Sequence, residues 1–233
     1  MTSSRWQAHG NVYLVAESGD AAIEPGLDGI MRVLSFDGDD VVVEIVNPDG
    51  SLAEMSGNGT RIVAAWLMER TGSDVARVHV GPRTVGVRRV GEHLYESDMG
   101  EVEVHERERI DGVDVTAVTV GNPHAVVVGD PDDLPLLGPM LETHPRFPNR
   151  TNVQVARVDG PGEVTARVWE RGVGETTASG SSAVAVAAAT HGEGEVLVHF
   201  PGGDLRVGLH DGSATLVGPA EPVVVSGSAE GGA

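Results

Sequence analysis

The stretch AEMSGNGTRIVAAWLMER, residues 53–70, begins with a Ser-Gly-Asn-Gly turn and continues into an almost entirely apolar segment. A second stretch, TASGSSAVAVAAAT at residues 177–190, repeats this arrangement in the other half of the chain. A helix that is apolar on every side must be covered on every side. Each stretch therefore predicts a buried helix inside a sheet that curls around it, with a glycine-containing turn at its amino-terminal end.

The flanking residues set the expected ends of these helices. Gly72 and Gly192 are typical C-terminal stops, because glycine readily adopts the left-handed conformation that ends a helix. Two weaker patterns suggest further helices. The predicted helices span residues 57–71, 181–190, 134–143 and 26–31.

The rest of the chain is dominated by Val-rich runs that often alternate with polar residues and are bounded by Gly, Pro and Asp. This pattern is typical of strands in a mostly antiparallel sheet. The predicted strands span residues 11–17, 31–36, 41–47, 76–80, 84–90, 102–110, 113–121, 124–129, 152–158, 163–170, 195–200, 205–210 and 222–227. Because a similar strand precedes and follows each buried helix, the halves are interpreted as two copies of one unit.

The sequence thus predicts an α/β (α+β) fold with two pseudo-symmetric domains, each a curled sheet around a central helix. The expected domains are residues 1–112 and 113–221, with a final strand at 222–229 returning to the first domain.

Composition excludes several classes of function. The net charge of −19 over 233 residues disfavours binding to the phosphate backbone of nucleic acids. Cysteine is absent, which excludes disulfides and thiolate metal sites within this chain. Neither a signal peptide nor a membrane-spanning run is recognised, and the expected location is cytoplasmic.

Ser56 and Ser179 stand at the mouths of the two buried helices. A helix N-terminus offers unpaired N–H groups and partial positive charge, which suit a carboxylate or another anion. Two such ends facing each other across a cleft would present one serine on each side of a small ligand. Serine is also a preferred N-cap residue, and that role alone accounts for either serine.

Several runs, taken in order, resemble the diaminopimelate epimerase family, whose members invert an amino-acid α-carbon without a cofactor. The resemblance covers nearly the whole chain and is most specific in its last three runs. The matching runs are HGNVYLV (9–15), NPDGSLAEMSGNGTR (47–61), VTVGNPHAVV (118–127), HPRFPNRTNVQVARV (144–158) and WERGVGETTASGSSAVA (169–185). The family's opening usually reads Gly-Asn-Asp, whereas here it is Gly10-Asn11-Val12, and the chain is shorter than usual.

This resemblance implies conversion of LL-2,6-diaminopimelate to the meso form, without pyridoxal phosphate or metal. In the family, two cysteines on opposite faces of the α-carbon remove and return the proton, and here those positions are Ser56 and Ser179. His124 and Glu170 match groups that assist the two bases. The implied substrate-binding residues are Asn11, Asn47, Gly57, Asn58, Asn122, Asn152, Glu170, Arg171, Gly180 and Ser181. A homodimer is implied as well.

The two serines change the expected chemistry. A thiol at a helix N-terminus ionises near neutral pH, whereas a serine hydroxyl is a much weaker acid and needs an adjacent base. We therefore expect substrate binding with very slow α-proton exchange. The serines are explained either by deliberate replacement of both cysteines or by a natural member with altered catalysis.

Three other classes of protein are alternatives. A non-catalytic amino-acid-binding homologue is the main alternative, and a proline-racemase-like or phenazine-pathway isomerase would share the fold. A serine hydrolase is disfavoured because the sequence has no Gly-x-Ser-x-Gly motif.

Overall fold

The structure, a computed structural model, describes residues 3–17, 24–53 and 56–223. Its three α-helices in this part of the chain are α1 (Gly57–Thr71), α2 (Leu134–Glu142) and α3 (Gly180–Thr190). The predicted limits of α1 are confirmed, including the stop at Gly72, which has φ 77° and donates its N–H to Met68. The helices expected at 134–143 and 181–190 are confirmed within one residue at each end. The C-cap of α3 is His191, and Gly192 follows it in the left-handed region.

Nineteen strands in the described ranges join into one network of backbone pairs. They are β1 (Ser3–Ala8), β2 (Asn11–Glu17), β3 (Gly29–Asp37), β4 (Asp40–Val46), β5 (Leu52–Ala53), β6 (Val75–Val80), β7 (Arg83–Gly91), β8 (Leu94–Glu101), β9 (Glu103–Val104), β10 (Glu108–Ile110), β11 (Val113–Thr119), β12 (Pro123–Val128), β13 (Asn152–Gly160), β14 (Glu163–Glu170), β15 (Gly174–Thr176), β16 (Gly194–Phe200), β17 (Gly203–His210), β18 (Ser213–Pro219) and β19 (Glu221–Pro222). Most neighbours are antiparallel, so the predicted fold class is confirmed.

The strand pairing repeats between the halves. In the first half β2 pairs with β3 and β4 with β6, both parallel. In the second half β12 pairs with β13 and β14 with β16, again parallel. Helix α1 lies in the connection from β4 to β6, and α3 lies in the connection from β14 to β16. Each buried helix is therefore the crossover that a parallel strand pair requires.

Both crossover helices lie inside the protein. Every residue from 58 to 68 of α1 is buried, as are Gly180 and residues 182–188 of α3. One apolar core surrounds α1 and a second surrounds α3, and a third lies beneath α2. The all-round apolar pattern of α1 and α3 is explained by this enclosure.

Strands from opposite ends of the chain link the two halves. Strand β8 pairs with β18, and β19 returns to pair with β1 through Trp6 and Pro222. Residues 224–229 of the expected final strand lie outside the described residues. The boundary at residues 112 and 113 stays a prediction.

Two local predictions were wrong. Residues 26–31 are not a helix, because Gly26 turns the chain with φ 89° and β3 begins at Gly29 in parallel register with Tyr13 of β2. The strand expected over 102–110 is interrupted between β9 and β10. In both places pairing with a distant strand decided the structure, and short apolar runs do not reveal that pairing.

None of the helices in the described part of the chain is long and apolar enough to cross a bilayer.

Candidate functional site

The amino-terminal ends of α1 and α3 meet at a pair of glycines. An ideal Cβ on Gly57 would lie 3.8 Å from Cα of Gly180, and one on Gly180 would lie 3.9 Å from Cα of Gly57. Ser56 and Ser179 immediately precede these glycines, both in the extended conformation of an N-cap residue. Two sets of unpaired helix N–H groups therefore converge between the halves, which suits an anionic ligand.

Ser56 is held by its own helix and by a tyrosine. Its Oγ accepts a hydrogen bond from the Gly59 N–H at 3.0 Å and lies 3.2 Å from the phenol oxygen of Tyr13. Tyr13 was missed at the sequence level. It lies two residues after Asn11 on β2, and this spacing places both side chains on one face of the strand.

Ser179 has different partners. It is buried, and its side chain makes no capping bond. Thr176 Oγ1 donates to the Glu170 carboxylate at 2.6 Å. Burial raises the pKa of Glu170, while Thr176 and the nearby Ser179 hydroxyl offset part of the rise. The second helix end thus has a carboxyl group close to its serine.

A buried arginine orients two predicted ligand-binding amides. Arg61 Nη2 donates to Asn58 Oδ1 at 2.7 Å, and Asn58 Nδ2 donates to Asn11 Oδ1 at 2.6 Å. Because a guanidinium can only donate, the direction of both hydrogen bonds is set. The amide N–H₂ of Asn11 is therefore left to donate, which suits a carboxylate oxygen.

Arg61 itself is fully buried. Its Nε donates to the Pro219 carbonyl at 3.0 Å, while its Nη1 has no hydrogen-bond partner. Burial lowers the pKa of Arg61 to about 10, so it remains charged at neutral pH. No local signal in the sequence indicates this role, because a charged residue in the first turns of a helix is ordinarily solvated.

His124 is buried with both ring nitrogens engaged. Nε2 lies 2.9 Å from Asn122 Oδ1, and Gln154 Nε2 lies 3.1 Å from Nδ1 and donates at 2.9 Å to the Ser182 hydroxyl. Burial lowers the pKa of His124 to about 3, with a smaller contribution from the positive charge of Arg171, so the ring is neutral at pH 7. With Nδ1 accepting, Nε2–H donates to Asn122 and leaves the Asn122 amide N–H₂ free. This geometry favours His124 as a group that orients Asn122.

Asn152 joins this region to the turn after β14. Its Nδ2 donates to the Pro123 carbonyl at 2.9 Å, and its Oδ1 accepts from the Arg171 N–H at 3.0 Å. The Arg171 side chain is exposed and donates to the Asn149 carbonyl. One amide thus brings together the segments that carry Asn122 and Arg171.

Comparison with known proteins identifies the family. A family model for diaminopimelate epimerase matches residues 9–105 and 116–224. A diaminopimelate epimerase of Pelotomaculum thermopropionicum is 39% identical, over 85% of this chain and 82% of that protein. One of Xylella fastidiosa is 42% identical, over 77% of this chain and 73% of that protein.

The chain belongs to the diaminopimelate epimerase family. It is therefore an isomerase, as the resemblance of its motifs implied.

More distant proteins share the fold. A protein of Pseudomonas aeruginosa described as a predicted epimerase superposes with a TM-score of 0.70 at 17% identity, covering 97% of this chain and 99% of that chain. A hydroxyproline epimerase of Agrobacterium vitis superposes with a TM-score of 0.65 at 16% identity, covering 95% and 88%. At these identities the likeness concerns the fold alone.

In this member of the diaminopimelate epimerase family, α2 supports the turn that carries Glu170 and Arg171. The Glu142 carboxylate accepts from Trp169 Nε1 at 2.8 Å and from the Gly172 N–H at 2.7 Å. It also pairs with Arg150. These contacts clamp the chain on both sides of residues 170–171, and no local motif signals them because the partners are remote in sequence.

Two predicted ligand-binding residues have other surroundings. Asn47 is used in a turn, where its Nδ2 donates to Ser51 Oγ at 3.0 Å and its carbonyl accepts from Gly50. Ser181 is partly exposed in the first turn of α3. Their roles in binding stay predictions.

Within residues 3–17, 24–53 and 56–223, no group of three or more His, Asp or Glu side chains is arranged to hold a metal ion.

Proposed function

We propose that this chain binds 2,6-diaminopimelate between the amino-terminal ends of α1 and α3 and converts the LL form to the meso form without pyridoxal phosphate. The meeting of Gly57 and Gly180 carries this proposal, because it sets Ser56 and Ser179 beside one shared anion-binding space. The family of the chain supports the choice of substrate.

In this proposal the α-carboxylate lies against the N–H groups of residues 57–58 and 180–181. The amide N–H₂ groups left free on Asn11 and Asn122 donate to the substrate's polar ends, and Arg171 offers a charge for the distal carboxylate. Glu170 accepts from an ammonium group and from Ser179. His124 acts by orienting Asn122 rather than by exchanging a proton, since its ring is neutral and both of its nitrogens are engaged.

The α-proton is removed on one face and returned on the other by the groups at positions 56 and 179. Serine hydroxyls replace the thiols that the family uses at these positions, and we propose that turnover is slow for this reason. A general acid–base group contributes about 10²- to 10⁴-fold to the rate. We therefore expect the variant Ser56→Cys/Ser179→Cys to exchange the α-proton faster by about this factor.

Two measurements test the proposal. Calorimetric titration with LL- and meso-diaminopimelate is expected to show binding by the parent chain, and NMR in deuterated water is expected to show slow α-proton exchange that the two thiols accelerate. Ser35→Cys, which places a thiol at an exposed position of β3, is the control and should leave exchange unchanged. Rapid exchange by the parent chain would contradict the role assigned to the serines, and absence of binding would refute the proposed substrate.

The alternative, a binding protein without turnover, rests on the same residues. The chain has the polar side chains expected to bind the substrate but lacks the two thiols expected to act on it. Binding without exchange, in both the parent and the double thiol variant, would favour that alternative. Binding of proline or hydroxyproline in preference to diaminopimelate would favour another racemase of the same fold.

A further inference from the structure

Each serine at the candidate site has a titratable partner, and the two partners differ. Ser56 Oγ lies 3.2 Å from the Tyr13 phenol oxygen, and the Ser179 hydroxyl acts on the Glu170 carboxylate, whose pKa it lowers. The negative charge of Glu170 also acts on Tyr13 and helps to raise the pKa of its phenol. Neither the family match nor the proposed function assigns a role to Tyr13.

We propose that Tyr13 is the proton-relay partner of Ser56. Tyr13 then supplies an acid–base group on the Ser56 face of the site, which has no carboxylate of its own among the described residues. The inference rests on the proposed function, because it assumes that Ser56 faces the α-carbon of the bound amino acid.

The backbone holds Tyr13 in place for this role. Tyr13 is paired with Gly29 of the parallel neighbour β3. An ideal Cβ on Gly29 would lie 2.9 Å from Tyr13 Cε1 and 2.7 Å from the Val46 carbonyl oxygen. The ring therefore lies directly over Gly29, because any side chain at position 29 would collide with it. The ring also packs against the core around α1. A phenol fixed in this way reaches Ser56 without further ordering cost.

The hydrogen-bond pattern gives the relay a direction. Ser56 Oγ already accepts from the Gly59 N–H. When Oγ also accepts from the Tyr13 hydroxyl, its own proton is free to point towards the ligand. Tyr13 is then the donor behind Ser56, and Ser179 donates to Glu170 on the opposite side.

The environment sets the resting protonation states. Burial raises the pKa of Tyr13; the Ser56 hydrogen bond offsets part of this rise, and the charges of Asp28 and Glu170 add to it. Tyr13 is therefore neutral and ready to donate at pH 7. Burial raises the pKa of Glu170, which can accept a proton only in its ionised form. An inversion by two bases needs one group protonated and the other not.

The proton balance closes over one inversion. On one face the α-carbon–hydrogen bond breaks, its proton moves to Ser179 Oγ, and the Ser179 proton moves to Glu170. On the other face the Ser56 proton forms the new carbon–hydrogen bond, and the Tyr13 proton moves to Ser56 Oγ. Glu170 ends neutral and Tyr13 ends as phenolate, and exchange with solvent restores both. Without Tyr13, this face would end as a serine alkoxide, which is a far less stable anion.

The test is a double-mutant cycle between positions 13 and 56 in the Ser179→Cys background, where one thiol keeps the conversion of LL- to meso-diaminopimelate measurable. Tyr13→Phe keeps the ring over Gly29 and removes only the hydroxyl. With Ser56 present, we expect Tyr13→Phe to slow the conversion of LL- to meso-diaminopimelate by about 10²-fold or more. When Ser56→Cys is also present, we expect a loss below about threefold, because a thiol supplies its own proton.

Binding constants from calorimetry are expected to be equal in all four proteins, which separates proton relay from a structural effect. Equal losses with Ser56 and with Ser56→Cys would overturn the proposal, as would no loss with either. Conversion to the meso form that is undetectable with Ser56 but fast with Ser56→Cys would overturn it too, since Tyr13 would then supply nothing. Failure of the proposed function is a different result, namely no binding and no exchange even with thiols at both positions.

Discussion

Replacing Glu142 by glutamine tests whether α2 holds the turn that carries Glu170 and Arg171. The Glu142 side chain is buried, with 6% of its surface exposed. One carboxylate oxygen accepts from the Gly172 N–H and pairs with Arg150, and the other accepts from Trp169 Nε1. A glutamine amide has a single acceptor oxygen, so it cannot satisfy all three donors.

The expected loss follows from this geometry. If the glutamine oxygen stays with Gly172 and Arg150, its N–H₂ group faces the indole N–H, and the Trp169 bond is lost. A hydrogen bond to a charged group contributes about 1.5–3 kcal/mol, and the two remaining bonds weaken because their acceptor is neutral. Relief of the cost of burying a charge offsets part of this loss. We expect the free energy of unfolding to fall by about 2–3 kcal/mol, or a Tm lower by about 4–12 °C.

Urea denaturation of the parent chain and Glu142→Gln measures the change, and Glu175→Gln is the control. Glu175 pairs with Arg167 at the surface of the same region, where an ion pair contributes about 0–1 kcal/mol. Glu142→Gln should also weaken binding of diaminopimelate, while Glu175→Gln should not. A loss for Glu142→Gln no larger than the loss for Glu175→Gln, with binding unchanged, would refute the proposed clamp.

The pH dependence supplies an independent check. Burial acts to raise the pKa of Glu142, but the bonds from Trp169 and Gly172 and the charge of Arg150 bring it below its usual value. The stabilisation is therefore complete above the pKa of an unfolded glutamate, about 4.3, and is lost as the pH falls through the lower folded value. The difference in the free energy of unfolding between the parent chain and Glu142→Gln should therefore become smaller at acidic pH.

Two further predictions concern buried basic side chains. Because the pKa of folded His124 is about 3 and that of an unfolded histidine is about 6.5, the unfolded chain binds an extra proton between these values, and stability falls as the pH falls. Between pH 7.5 and pH 5, this effect lowers the free energy of unfolding by about 2 kcal/mol. Urea denaturation of His124→Gln should therefore show a free energy of unfolding that depends less on pH. An unchanged pH dependence would contradict a neutral buried ring. For Arg61→Met, we expect the free energy of unfolding to change by less than about 2 kcal/mol, because replacing a buried charge by an apolar side chain of similar size removes its desolvation cost. Calorimetry should show that Arg61→Met binds diaminopimelate more weakly by about threefold to tenfold. This is the affinity that one hydrogen bond contributes, and the Asn11 amide would no longer be oriented to make it. Unchanged affinity would show that Arg61 does not orient the amides.

Local sequence was sufficient where local interactions decide the structure. The limits of α1 follow from Ser56 as N-cap and Gly72 as stop, which lie at the ends of the helix itself. The burial of α1 and α3 follows from their apolar composition. The same signals placed Ser56 and Ser179 at helix ends, and the motifs around them were enough to recognise the family.

Local sequence was insufficient wherever a partner comes from another strand. The segment at residues 26–31 reads as a short apolar run of ambiguous type, and its parallel pairing with β2 made it the start of β3. The same pairing carries Tyr13 over Gly29 to Ser56, 43 residues away.

The sequence by itself therefore determined the strand-rich class, the two buried helices, the internal repeat and the serines at the helix ends. The tertiary structure alone decided what each serine touches, which amides Arg61 orients and how Glu142 holds the turn at residues 170–172. The physical reason is that capping, glycine stops and hydrophobic periodicity act between near neighbours in the chain. Hydrogen-bond partners across a sheet depend instead on strand order and register, which only the folded chain as a whole sets.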